Sequence, residues 1–154
     1  MSKEVLNALE LAGWTPARDE IGIEHVFSSL MGEKWLPVAA PFLRRFGGLD
    51  IAHTLFVWDM PISNHDLITQ NEARVAEVVN SKVVPIATSN YMGDGAILWM
   101  DEKGRLYVAD SEGIVFVGND EFEALEVHIL GGARPEPPIE LRHNLAENYE
   151  WNLA

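Results

Sequence analysis

The chain has 154 residues, 47% of them hydrophobic, which is enough to bury one sizeable core and too little for two independent ones. Its 24 acidic residues stand against 11 lysines and arginines, and the formal net charge of −13 makes a field that repels nucleic acid and anionic membrane surfaces. Cysteine is absent, which excludes disulfides and thiolate chemistry; there is no apolar run of bilayer-spanning length and no secretory leader at residues 1–13, so a cytoplasmic protein is the default expectation.

Val5, Leu6, Leu9 and Ala12 recur at helical spacing after Ser2, a candidate N-cap, and Gly13 stops the first helix. Trp14 in the following Gly-Trp-Thr-Pro-Ala-Arg turn is either a ligand platform or an aromatic plug for the core, and packing is the more economical reading. Ile23, Val26, Phe27, Leu30 and Met31 predict a second helix packed on the core and ended near Gly32. Pro37 opens a third helix with Val38, Phe42, Leu43 and Phe46 as its stripe, before Gly47-Gly48. Arg44-Arg45 reads as cations at a helix C-terminus, too few for a nucleic-acid patch.

Residues 51–58 predict one strand, and residues 59–66 a loop. Thr69 and Glu72 are spaced as a capping box for a helix through Val79, with Ala73, Ala76 and Val79 on its inner side. Residues 83–87 form the next strand. Residues 96–117 then predict a three-stranded antiparallel meander, turning first on Asp101-Glu102-Lys103-Gly104 and again on Asp110-Ser111-Glu112-Gly113 with Gly113 in the place of Gly104. Ile97 to Met100 are apolar on both faces, so this strand is central. Asp120 and Glu123 cap a last long helix with Phe122, Leu125, Ile129 and Leu130 as its stripe up to Gly131-Gly132; beyond Pro135, Pro137 and Pro138, Leu141, Leu145 and Tyr149 suggest a short helix. The expected class is α+β, one domain with a mostly antiparallel sheet around the meander and helices flanking it.

Catalytic signatures are missing. His25, His53, His65, His128 and His143 are scattered without metal-ligand spacing, so no metal and no cofactor are expected. Gly93-Asp94-Gly95 lacks the lysine and helix of a phosphate cradle, no serine sits in a nucleophile elbow, and Asp101-Glu102 fall at a turn where solvent would leave them ordinary.

Four motifs in order carry a resemblance: Gly13, Trp14, Pro16 and Arg18; Phe42, Phe46, Gly47, Gly48 and Leu49; Asp101, Gly104, Arg105 and Tyr107; and Ala124, Leu125 and Gly131. Together they resemble the SUKH superfamily of bacterial immunity proteins, in particular its third subgroup. The resemblance implies an α+β domain, set here at residues 1–132; residues 133–154 lie outside the pattern and are expected, as a proline-containing acidic extension, to pack on the same domain. The resemblance also implies a role in neutralising a cognate toxin of a polymorphic toxin system, often a nuclease or deaminase, and no enzymatic activity. The matched residues read as determinants of the fold.

Charge supplies a mechanism. Residues 111–154 hold nine acids against Arg134 and Arg142, which serves solubility alone or fits a toxin with a basic surface whose substrate groove is then occluded. Candidate interface residues are Asp101, Glu102, Glu112, Asp120, Glu121 and Glu126, with Trp58 and Tyr91 as aromatic anchors wherever they are exposed. The competing readings are a regulatory or scaffold module that inhibits no toxin, and an enzyme whose site gathers His53, His65 and an acid.

Overall fold

Strand β4 (Ala96–Asp101) is buried at every position, with β3 (Val83–Ser89) paired on one side and β5 (Leu106–Ala109) on the other. A computed structural model describes residues 1–62, 66–93, 95–131 and 134–148. The six-stranded antiparallel sheet runs in chain order, β1 (Asp50–Ile51), β2 (Leu55–Val57), β3, β4, β5 and β6 (Ile114–Gly118). The α+β class and the central meander hold. Each hairpin reverses the chain, so the β4–β5 and β5–β6 turns stand at opposite ends of the sheet.

The register sorts the two faces. Thr88, Ile97, Trp99, Asp101 and Tyr107 share one face, and Ser89, Ala96, Leu98, Met100 and Val108 the other. Over the first lie α4 (Asp66–Val79) and α6 (Ile139–Asn148), which pack on each other and bury Leu141 and Leu145. On the second lie α1 (Lys3–Leu11) and α5 (Glu121–Leu130). α2 (Ile21–Met31) and α3 (Ala40–Phe46) pack on one another, and Lys34, just past α2, reaches Glu72 of α4.

The family-like motifs have local physical explanations. Ser2 caps α1 through the Val5 amide, and Gly13 leaves it at a φ of 100°. Trp14 then stacks on Phe46, and the Arg18 guanidinium donates to the carbonyls of Arg45 and Gly47 at 2.9 and 2.7 Å, satisfying the C-terminus of α3. Gly47 has no room for a side chain, because a Cβ there would sit 2.6 Å from the Leu43 carbonyl oxygen.

Several expectations are corrected. Residues 51–58 are a tight hairpin, with Ala52 and His53 left-handed between β1 and β2, because the apolar run continues through the turn and hides it. Pro37 opens a 3-10 turn (Pro37–Ala39), and α3 starts after it with Pro41 in its first turn, where a missing N–H costs nothing. α4 begins at Asp66, so Thr69 lies within the helix, and its buried stripe is Ile68, Asn71, Val75, Val78 and Val79 while Ala73 is exposed. Gly113 does not take a positive φ; the second turn is instead closed by Asp110 Oδ1, which accepts from the amides of Glu112 and Gly113. In α5, Phe122 and Leu130 face out, while Ala124, Leu125, Val127 and His128 face in. In α2 only Phe27 is fully buried, and Val26 and Leu30 are exposed. Gly132 and Tyr149 lie outside the described residues.

His128 is the unexpected core residue. Its Nδ1 faces the Ala124 carbonyl oxygen at 2.7 Å and must carry the proton, so Nε2 accepts from the Ser89 hydroxyl, also at 2.7 Å. Burial, opposed by the bond to Ala124, lowers the pKa below the ordinary 6.5. The unfolded chain therefore binds a proton near pH 6.5 that the folded one refuses, and stability present above that pH is lost as pH falls towards the depressed folded value. Urea denaturation at about pH 7.5 and about pH 5 should show the loss, at most about 1.4 kcal/mol per pH unit from this group, and His128→Gln should flatten the difference.

Candidate functional site

The turn between β4 and β5 is built on a buried carboxylate. Asp101 Oδ1 accepts from the amides of Lys103 and Arg105 at 2.9 and 3.0 Å, and Oδ2 accepts from Arg105 Nε at 2.7 Å and the Tyr107 hydroxyl at 2.9 Å. The arrangement is closed by Gly104 at a φ of 80°. Burial first, and the Asp101 charge next, raise the Tyr107 pKa well above its ordinary value, so the phenol stays a donor. Arg105 also reaches outward to Glu140 of α6 at 3.1 Å. A backbone bond at its own N–H, and then Arg105, hold the Glu140 carboxyl below the usual range.

Arg105 and Glu140 of this network line a cleft of about 440 Å³ between the C-terminal end of α4, the β4–β5 turn and α6. Glu77, Asn80, Glu102, Lys103, Glu140 and Asn144 stand around it. Glu102 accepts from the Lys82 amide at 3.1 Å, and its own N–H donates to Ser81, which ties the turn to the start of β3. Arg105 is matched by Asp101 behind it. Lys103 thus faces three glutamates, and the cleft presents negative charge to solvent.

The predicted interface residues divide by position. Asp101 is wholly buried and belongs to the fold, not to a surface turn; the apolar run before it and the glycine after it had suggested a simple tip. Glu102 is at the cleft. Asp120 and Glu121 lie at the same end of the sheet, because α5 follows directly from β6; Asp120 caps the amides of Phe122 and Glu123, and Glu121 is largely buried beside Arg45. Burial, partly offset by Arg45, raises the Glu121 pKa. Glu126 is exposed on α5. Glu112 stands at the opposite end, in the β5–β6 turn. Trp58 is 2% exposed, with Nε1 donating to Thr88 Oγ1 at 3.0 Å, so it offers no anchor. Tyr91 is half-buried against His128. His53 is exposed beside Asp50, and His65 lies outside the described residues; among those described, no group of His, Asp and Glu could hold a metal ion.

The sequence reading missed Glu77, Glu140 and Asn144. They come from α4 and α6, more than 60 residues apart, and only the packing of those helices brings them to one cleft.

The family model for SUKH-3 immunity proteins matches residues 1–131. The chain belongs to this family. Membership brings an immunity function with a cognate toxin as partner, and suggests a non-enzymatic role. No curated protein and no solved structure matches the chain significantly. Among the described residues, no helix is long and apolar enough to cross a membrane. The family match ends before α6, so one wall of the cleft is built from residues outside it.

Asp101→Ala leaves Arg105 and the Tyr107 hydroxyl without their buried acceptor and should cost about 3–5 kcal/mol in urea denaturation. Tyr107→Phe removes one bond only and should cost about 1–2 kcal/mol.

Proposed function

We propose that this protein neutralises a nucleic-acid-targeting toxin by covering its basic substrate groove with the acidic cleft at the β4–β5 end of the sheet. The observation that carries the reading is the convergence of Glu77, Glu102 and Glu140, from three separate elements, around an open cleft in a chain of net charge −13. Such a surface attracts a cationic groove over the Debye length, so it contributes mainly to the rate of encounter and to rejection of acidic partners. The other acids at this end, Asp120 and Glu121, are engaged in capping and in the pair with Arg45 and contribute to the field without being free to reorganise around a partner. The partner's chemistry follows: a protein with clustered lysine and arginine, the surface a nuclease or deaminase uses for phosphates.

The test uses the toxin captured by the tagged protein from the producing bacterium. Replacing Glu77, Glu102 and Glu140 together by glutamine keeps the hydrogen bonds to Lys82 and Arg105 and removes the charge. Association should slow about tenfold at low salt and converge with wild type at high salt, with a smaller change in dissociation. Bound toxin should no longer bind a short nucleic-acid duplex. A complex that still binds and cuts nucleic acid would refute occlusion.

A further inference from the structure

Beside the acidic cleft the molecule carries a second surface that neither the fold nor the charge accounts for. Phe56, Met60, Ile62 and Leu30 are 46%, 53%, 42% and 60% exposed. Phe56 pairs with Thr88 across β2 and β3, so it stands on the sheet face that α4 covers further along. Pro85 shares that face: its partner Trp99 lies two residues from Ile97, the partner of Thr88, and the bulge at Ile86 absorbs the extra residue. Between Pro85, the 60–62 segment, the end of α2 and Ile68 of α4 runs a groove of about 280 Å³.

We propose that this apolar face, centred on Phe56 and the groove of Leu30, Ile62 and Ile68, is the anchor on which the toxin seats. The inference rests on the immunity reading above and names the contact that holds the complex once charge has brought it together. Two observations and one general rule favour it. α2 carries more apolar surface than the core takes, since Val26 and Leu30, one turn apart, are exposed, Leu30 lines the groove, and Phe27 alone is fully buried. The face is rigid: Phe56 is on a strand paired on both sides, and Trp58 below it is fixed to Thr88. Complexes draw most of their binding energy from aromatic and aliphatic groups seated on such preformed surfaces, not from rim carboxylates.

Charge selects the occupant. At the groove Glu72 pairs with Lys34, and Asp50 stands near Phe56 with His53, so the rim is close to balanced and the field that acts there is that of the whole chain. A chain of net charge −13 repels a second copy of itself and attracts a basic toxin. The fitting partner therefore presents an apolar side chain on a basic protein.

Phe56→Lys and Leu30→Glu should each speed dissociation of the captured toxin by roughly thirtyfold, with association changed far less. That is the reverse of the pattern expected for the glutamine variants of the cleft. Leu11→Glu, on the outer side of α1 where the leucine is exposed, should leave both rates unchanged. Phe56→Thr and Leu30→Gln, which suit a strand and a helix surface, serve if the charged variants lose their circular dichroism, and should act in the same direction. Dissociation equal to wild type in the folded variants overturns the anchor while the immunity reading stands. A wild-type dimer in sedimentation that Phe56→Lys dissolves assigns the face to a second copy and overturns it as well. If no captured partner is neutralised, both readings fall together.

Discussion

The carboxylate of Asp101 is the constraint on which one end of the molecule depends. It is wholly buried, a condition that costs several kcal/mol unless its lone pairs are filled, and four donors from Lys103, Arg105 and Tyr107 fill them. Those bonds fix the β4–β5 turn in one geometry. The same Arg105 then faces outward to Glu140, so the network reaches the first turn of α6. The cleft adjoins this chain of contacts, with Arg105 and Glu140 in its lining and the turn that Asp101 holds as one of its walls.

The second constraint is at the other helical layer, where α3 must end abruptly between Trp14 and β1. Arg18 takes the last carbonyls, Gly47 lets the chain pass Leu43 and Ile23, and Trp14 closes on Phe46. These residues are far apart in sequence and meet at one point. The part these residues play in this chain is thus one of folding, independent of any partner.

How far the sequence could be read followed from how local each signal was. The meander, the caps at Ser2 and Asp120 and the stop at Gly131 were legible because turn chemistry and capping act within four residues. The β1–β2 hairpin was not, because Ala52 and His53 adopt left-handed conformations usually taken by glycine or asparagine, and nothing in their type announces it. Period alone also failed to say which apolar stripe faces in. Phe122 and Leu130 look like core residues, yet α5 lies with Ala124 and His128 inward, where a small side chain allows close approach and the imidazole finds Ser89. The candidate site was least legible. Acidity was visible in bulk, but Asp101 and Trp58 proved internal while Glu77 and Glu140 emerged only from tertiary packing.

These outcomes bear on where specificity resides. Each matched motif turns its distinctive side chain inward or into a backbone contact: Trp14 on Phe46, Arg18 on α3, Asp101 on its own turn, and Gly131 at a φ of 64° ending α5. None is free to choose a toxin. Choice must then lie on surfaces that the pattern leaves open, and the structure offers two on the side of the sheet that α4 covers. Glu72 and Ile68 of α4 border the apolar groove, and Glu77 and Asn80 border the acidic cleft, so one helix contributes to both. Substitutions on its outer side can alter steering and anchoring without touching the buried stripe of Val75, Val78 and Val79. A fold held by inward motifs, with the proposed recognition surfaces on the exposed sides of α4 and on α6, can change partners while its core stays the same.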